Sequence, residues 1–96
     1  MSVYLIVNSN VHDKEAHKEY QANVPALVAR HGGEYLARGG DFEVLEGDWQ
    51  PTRLLLFRFP DRESVHALFN DPEYLPYKEK RQQIADTQIV MVDGVD

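Results

Sequence analysis

Three short runs of the chain are apolar at consecutive positions, and this feature constrains the fold more than any other. They are VYLIV at residues 3–7, LLLF within residues 53–59 and IVMV within residues 87–92. Successive side chains of a β-strand point to opposite faces of a sheet, so strands of this kind are apolar on both faces. A sheet built from these strands must pack against other protein segments on both of its faces.

The rest of the chain supplies helix for only one of these faces. Apolar residues recur at helical spacing from Ala16 to His31, and shorter helical segments follow Asp61. An uncovered apolar face of several hundred Å2 is rare on soluble monomers, and at ~25 cal/mol per Å2 its burial contributes several kcal/mol. We therefore expect a homodimer that packs sheet to sheet. The alternative is a monomer whose C-terminal segment folds back over the open face, although the chain has no spare segment.

The order of the elements predicts a ferredoxin-like fold. Strands are expected at residues 3–7, 35–46, 53–59 and 87–92, with helices after the first and third strands. This β-α-β-β-α-β order is an α+β arrangement with an antiparallel sheet and both helices on one face. Residues 1–96 are expected to form a single domain.

Glycine and turn residues predict a β-hairpin in the middle of the chain. Gly39-Gly40 interrupts the second strand, which is typical of a bulge or a close approach of backbones. Residues 47–52 have turn chemistry. Glu46 and Arg53 flank this turn and would form an ion pair across the hairpin.

Proline, aspartate and glycine also predict how the helices begin, bend and end. Pro25 lies inside the first helical pattern and predicts a kink or two abutting helices. Gly32 is the expected residue of positive φ after this helix. The predicted helix N-caps are Asp13, Asp61 and Asp71.

Composition excludes several classes of function. The 96-residue chain has a net charge of −6, which argues against nucleic acid or an anionic membrane as a partner because both need a basic face. The absence of cysteine removes disulfides and thiolate chemistry. The N-terminal apolar run ends at Asn8, too early for a signal peptide or a membrane span. We expect a cytoplasmic protein that uses no cofactor.

Polar residues at inward-facing positions indicate a ligand site. Tyr20 on the first helix and Tyr74, Tyr77 and Arg81 on the last would line a cleft for a small carboxylate or phenolic ligand. The alternative is core packing with the arginine paired to a carboxylate. Beside the glycine pair, Arg38 could hold an anion or could instead pair with Glu34 or Glu46. The predicted ligand-binding residues are Arg38, Gly39, Gly40, Arg53, Tyr77 and Arg81.

Three residues are candidates for proton transfer. Of the four histidines, His12 at the junction of the first strand and helix is the best placed for acid–base chemistry, although a loop histidine can simply be solvated. Tyr20 and Tyr74 would act as proton donors. His12 and His17 are five residues apart and do not share a helix face. No HExxH or similar set occurs, so no metal site is expected.

Several motifs together resemble one protein family. They are GGEYLARGG at residues 32–40, LEG at 45–47, PTR at 51–53, FP at 59–60 and DPEY at 71–74. Over nearly its whole length the chain resembles the family known as domain of unknown function 1330. The resemblance implies a fold of the dimeric α+β barrel superfamily, which includes cofactor-free monooxygenases and proteins similar to muconolactone isomerase and chlorite dismutase. It implies no particular catalytic residue.

The sequence thus favours a small-molecule-binding protein with a cleft between sheet and helices, in which Arg38, Arg53 and Arg81 hold an anionic group. One form of this hypothesis is a cofactor-independent enzyme, monooxygenase-like or isomerase-like, acting on a small anionic or phenolic compound. The alternative is a non-catalytic dimeric ligand-binding or regulatory module. A third interpretation is an assembly domain without a pocket.

Overall fold

The computed structural model describes residues 1–96 and contains four strands and three helices. In chain order they are β1 (Val3–Val11), α1 (Lys14–Arg30), β2 (Glu34–Arg38), β3 (Leu54–Phe59), α2 (Arg62–Phe69), α3 (Leu75–Ile84) and β4 (Ala85–Asp93). The strands form one sheet in the order β2-β3-β1-β4, with every neighbouring pair antiparallel. The predicted ferredoxin-like α+β fold is confirmed, with the second helical region divided into α2 and α3. None of the helices has the length and apolar character needed to span a membrane.

The core lies between the helices and one face of the sheet. On β1, Val3, Leu5 and Val7 are buried and alternate with less buried neighbours. They lie in register with inward residues of β3, with Val3 opposite Phe59 and Val7 opposite Leu55. The helices add Val24, Leu27, Val28, Val65 and Leu68 to the same cluster. Full burial of such a side chain contributes roughly 1.5–3 kcal/mol, so this cluster fixes the helices on one face.

Most helix ends follow the predicted signals. Asp13 and Asp61 each accept a hydrogen bond from the backbone N–H three residues later, at 3.0 and 2.8 Å, and cap α1 and α2. Gly32 follows α1 with a φ of +80°. Asp71 instead accepts from the N–H two residues later, in a turn that precedes α3. Its predicted role as the N-cap of α3 is wrong, because this turn separates it from the helix.

Pro25 lies inside a continuous α1, so the predicted alternative of two abutting helices does not occur. Proline has no N–H, and the carbonyl four residues earlier, that of Gln21, therefore lacks its helical partner. The Arg38 side chain donates to this carbonyl at 3.4 Å. The proline thus provides a contact between α1 and the edge strand β2.

The second half of the predicted hairpin strand is a loop. β2 ends at Arg38, and residues 39–53 contain no helix or strand. Gly39 turns the chain with a φ of +71°, and its N–H donates to the Leu54 carbonyl at 2.8 Å. Because β3 begins at Leu54, residues 42–46 have no strand residues to pair with. The predicted Glu46–Arg53 ion pair is therefore not formed.

The opposite face of the sheet is open and apolar. Ile6, Leu56 and Val90 lie side by side on three adjacent strands, and they are 38, 38 and 60% exposed. This confirms that the strands are apolar on both faces. The residues after β4 do not cover this face, since Val95 is fully exposed. The alternative of a C-terminal segment folded over the sheet is not realised.

Candidate functional site

A cleft lies between the inner face of the sheet and the helices. The volume of its cavity is about 70 Å3. Thirteen of its twenty lining residues are hydrophobic, as in ligand pockets generally. The lining residues that carry a polar group, including three tyrosines that also count as hydrophobic, are Ser9, His17, Tyr20, Gln21, Tyr35, Arg38, Arg53, Tyr74, Arg81 and Thr87.

Three arginines and no carboxylate line this cleft. Arg38, Arg53 and Arg81 form no ion pair with any acidic residue of the chain, and Glu34, a predicted alternative partner of Arg38, pairs elsewhere. The remaining arginines all pair with carboxylates outside the cleft. They are Arg30, Arg58 and Arg62. The cleft is therefore a positively charged region in a chain whose net charge is −6.

Arg81 lies deepest among the three arginines. It is 7% exposed, and its Nε atom has no hydrogen-bond partner. The guanidinium lies beside the hydroxyls of Tyr20 and Tyr74, but no carboxylate pairs with it. A buried charge without a counterion costs several kcal/mol in free energy unless something compensates it. The predicted alternative, in which a carboxylate of the core neutralises Arg81, is not observed.

Two tyrosine hydroxyls meet beside this guanidinium. The hydroxyl oxygens of Tyr20 and Tyr74 are 2.9 Å apart, and Tyr74 is only 3% exposed. Burial, and secondarily the neighbouring Tyr74, raises the pKa of Tyr20 well above its ordinary value. Tyr20 is therefore a neutral phenol at pH 7. Because one hydroxyl donates to the other, a single O–H of the pair remains available to donate into the cleft.

A β-bulge in β2 brings Arg38 to the cleft. The register of β2 against β3 shifts between Tyr35 and Ala37, so that Tyr35 lies opposite Phe57 and Arg38 opposite Leu55. Strict alternation would place residues 35 and 38 on opposite faces, whereas the bulge puts both on the inner face. The Arg38 guanidinium lies 4.6 Å from the centre of the Tyr35 ring. Of the two alternatives predicted for the glycine pair, a bulge or a close approach of backbones, the bulge lies elsewhere, between Tyr35 and Ala37.

Gly39 leaves room for the side chain of Arg53. A Cβ atom added at Gly39 would lie 2.5 Å from the Arg53 Nε, so only glycine allows this approach. The backbone of Arg53 is held by β1, because its carbonyl accepts from the Ser9 N–H at 3.0 Å. A Cβ atom added at Gly40 would meet no other atom within 4 Å, so this second glycine makes no comparable contact.

His17 is a site residue that the sequence interpretation missed. Its side chain is 6% exposed, and its ring stacks on Tyr20 with centroids 5.3 Å apart. Burial is the main cause that lowers the pKa of His17 below its ordinary 6.5, and the charges of Arg53 and Arg81 lower it further. The spacing of residues along α1 could have identified His17, because residues 17 and 20 share one helix face with the buried Val24.

Three residues of the predicted site lie elsewhere, Gly40 among them. His12 is exposed and lies outside the cleft, where its Nε2 is 2.9 Å from the Oδ2 of Asp86. Tyr77 packs against the edge of the core and lines a shallow surface depression next to Tyr20. The structure therefore brings together Tyr20, Tyr74 and the three arginines, and it leaves His12, Tyr77 and Gly40 outside.

Comparison of the sequence with protein-family models finds one matching family. The model of a family described as a domain of unknown function (DUF1330) matches residues 2–95. No curated protein sequence matches the chain.

Several solved structures are similar to this one at low sequence identity. RPA0582, a protein of unknown function from Rhodopseudomonas palustris, is 16% identical, with a TM-score of 0.78 over 99% of this chain and 83% of that one. SnoaB, a cofactor-independent oxygenase from Streptomyces nogalater, is 13% identical, with a TM-score of 0.66 over 99% and 94%. A Nitrosomonas europaea protein provisionally assigned as an antibiotic biosynthesis monooxygenase is 18% identical, with a TM-score of 0.61 over 98% and 90%. At these identities the likeness establishes the fold alone, which is a ferredoxin-like α+β fold.

Proposed function

The chain belongs to the DUF1330 family, and on that premise we propose that it binds a small anionic or phenolic compound in its cleft. Arg81 and Arg53 hold the anionic oxygen inside the cleft, and Arg38 acts at its edge. The Tyr20–Tyr74 pair donates one further hydrogen bond, and the apolar walls hold the body of the ligand. Gly39 contributes indirectly because it admits the Arg53 side chain.

One observation carries this proposal. Every arginine outside the cleft has a carboxylate partner, and none of the three in the cleft has one. Buried polar atoms are almost always hydrogen-bonded, so the unpartnered Nε of the buried Arg81 requires an explanation. An anion supplied from outside would pair with the guanidinium and offset its desolvation. A pure assembly domain would have no need for such an arrangement.

Binding of simple probes tests this proposal. Benzoate, phenol and benzyl alcohol are titrated into isotopically labelled protein and followed by backbone amide NMR. A hydrogen bond to a charged group contributes about 1.5–3 kcal/mol, so benzoate should bind about 10- to 100-fold more tightly than benzyl alcohol. Equal affinity for the charged and neutral probes would contradict an anion site.

Two variants in the cleft and one control variant on the surface locate the site. Arg81→Met should remove the preference for benzoate, whereas Arg62→Met, which breaks a surface pair with Asp93, should leave it unchanged. Arg38→Ala should abolish or strongly weaken binding without lowering thermal stability, since Arg38 is exposed. If Arg38→Ala lowers binding and stability to the same extent, the role of Arg38 is structural.

A second candidate function is a cofactor-independent enzyme that uses the same cleft. It is favoured by the fold shared with SnoaB, which is described as a cofactor-independent oxygenase, and by the proton-donating tyrosine pair. A co-purified molecule, identified by native mass spectrometry, distinguishes the candidates. After incubation in air, an oxygenase releases a product of changed mass and an isomerase releases a product of equal mass but different chromatographic retention, whereas a ligand-binding or regulatory module retains the original molecule.

We also propose that two copies pack through the open face of the sheet. The row of Ile6, Leu56 and Val90 continues to Val92, which is 46% exposed, so the apolar surface extends across three adjacent strands. The helices cover the other face, and no segment of the same chain lies over this one. A second copy offers an identical apolar surface, and a two-fold axis would bury both at once.

Sedimentation equilibrium tests the dimer. Val90→Lys places a charge within the proposed interface and should convert the dimer to a monomer. Val95→Lys introduces the same charge at a fully exposed position outside the strands and should leave the dimer intact. A wild-type protein that sediments as a monomer at micromolar concentration would refute this assembly.

A further inference from the structure

We propose that His17 is the proton acceptor of the cleft, so that a neutral phenol or enol transfers its O–H proton to the His17 imidazole and remains bound as the anion beside Arg81. This inference rests on the proposed function and assigns a role to a residue within that site. In the transfer, the O–H bond of the ligand breaks and an N–H bond forms on the imidazole. The electron pair stays on the ligand oxygen, and no oxidant or reductant is required.

The position of the ring supports this role. His17 is 6% exposed, lines the cleft and is held by stacking on Tyr20 with an interplanar angle of 15°. Neither of its ring nitrogens forms a hydrogen bond within the chain. His12 and His31, by contrast, each place Nε2 within 2.9 Å of a carboxylate. A buried imidazole that has no partner in the protein is available to a ligand.

The other groups of the cleft cannot accept a proton at neutral pH. The three arginines are fully protonated, and the cleft has no carboxylate. Burial raises the pKa values of Tyr20 and Tyr35, so both are neutral phenols, and the Tyr74 hydroxyl is hydrogen-bonded to that of Tyr20 at 2.9 Å. The hydroxyls of Ser9 and Thr87 bond to each other at 3.0 Å and are far too weak as bases. His17 is the one remaining group with a lone pair of suitable basicity.

Electrostatics make the transfer conditional on the ligand. Burial, and additionally the charges of Arg53 just before β3 and Arg81 on α3, lower the pKa of His17 below 6.5, so that the imidazole is mainly neutral in the free protein at pH 7. The other ionisable groups that line the cleft are Arg38 and Tyr35 on β2, Tyr20 on α1, and Tyr74 before α3. An anion beside Arg81 offsets the positive charge and stabilises the imidazolium. Proton acceptance and anion binding therefore favour each other.

The first experiment uses the wild-type protein and 4-nitrophenol, whose phenolate form absorbs visible light. The experiment is run at pH 6.5, where the free probe is mainly the neutral phenol and His17, whose pKa lies below 6.5, is mainly neutral. Binding should produce the phenolate absorption band, and the imidazole NMR signals of His17 should move to the imidazolium position. Bound probe in its neutral form, or a phenolate beside a neutral His17, would overturn the inference.

The second experiment compares His17→Gln with His66→Gln, a matched change at an exposed histidine of α2. In the wild type and in His66→Gln the proton stays on the protein, so affinity should change little with pH between the lowered pKa of His17 and the pKa of the probe, and calorimetry in two buffers should show no proton release. In His17→Gln the proton goes to solvent. Affinity should then fall about tenfold for each pH unit of acidification, as linkage requires. Identical pH slopes in the two variants would refute the role of His17.

The outcomes also separate this inference from the proposal on which it rests. If benzoate binds in an Arg81-dependent manner but His17 stays neutral with bound phenolate, the anion site stands and the proton-acceptor role fails. If neither benzoate nor 4-nitrophenol binds the wild type, both proposals are refuted. Should His17→Gln fail to fold, the imidazole spectra of the wild type still decide the question.

Discussion

Replacement of Arg81 by methionine should stabilise the protein while removing its anion site. Arg81 is 7% exposed, pairs with no carboxylate and has an unpartnered Nε atom. Methionine keeps most of the length of the side chain and fills an irregular apolar space well. The variant therefore removes a desolvated charge from the core and retains most of the packing.

The size of the effect follows from two opposing contributions. A buried polar group without a partner costs about 1–3 kcal/mol, and methionine removes this cost. The guanidinium also lies beside the hydroxyls of Tyr20 and Tyr74, and loss of that contact costs about 1 kcal/mol. The tyrosine hydroxyls keep their mutual bond of 2.9 Å. We expect a net gain of about 1 kcal/mol in the free energy of unfolding, which raises Tm by about 4–8 °C in a domain of this size.

Urea unfolding followed by far-ultraviolet circular dichroism measures this change. The buffer must contain no phosphate, sulfate or carboxylate, because an anion bound at Arg81 would stabilise the wild type. Lys80→Met, an equivalent change at the exposed neighbouring position of α3, is the control and should stay within about 0.5 kcal/mol of the wild type. If Arg81→Met unfolds more easily than the wild type while the control is unchanged, Arg81 is a structural residue and the reasoning is refuted.

Three further predictions concern packing and pH. Gly33→Ala should lower the free energy of unfolding by about 1–3 kcal/mol, because its Cβ would lie 2.5 Å from the Phe59 ring; Gly40→Ala, with no atom within 4 Å, should have almost no effect on Tm. Because the pKa of His17 is lowered, the folded state binds fewer protons than the unfolded state, so stability should fall as the pH drops below 6.5, and His17→Gln should remove this slope in urea titrations. The pKa of Asp71 is lowered chiefly by its hydrogen bond from His31. The stability that Asp71 contributes above pH 3.8 should therefore be lost as the pH falls through its pKa in the folded state. In the same assay, Asp71→Asn should lose less stability than the wild type on acidification.

Much of the fold followed from local patterns. The strands are apolar on both faces because residues such as Leu5 and Ile6 are adjacent, and the alternation of side chains is a property of any strand. The caps at Asp13 and Asp61 were predictable because each bond reaches only three residues along the chain. The end of β2 was not predictable in this way. It depends on where β3 begins, which is a relation between strands.

Only part of the candidate site could be predicted from local sequence patterns. Tyr20, Tyr74 and Arg81 were identified because helical spacing shows which positions face the sheet. His17 was missed because a histidine near the helix start is compatible with either solvent or cleft. His12 was selected by its position at a junction, yet it lies next to Asp86 because the register of β1 against β4 places residues 10 and 86 opposite each other.

The sequence by itself determined the order of the elements, the two apolar faces of the sheet and the helix positions that face inward, because all of these depend on residues close together in the chain. Only the tertiary structure decided that Arg38 shares a cleft with Arg81. This position depends on the one-residue bulge of β2 against β3, and on the α1 carbonyl that Pro25 leaves free to accept a hydrogen bond from Arg38. The tertiary structure also decided that no carboxylate reaches the three arginines of the cleft. The pairing of charges depends on distances between elements, which spacing along a chain does not specify.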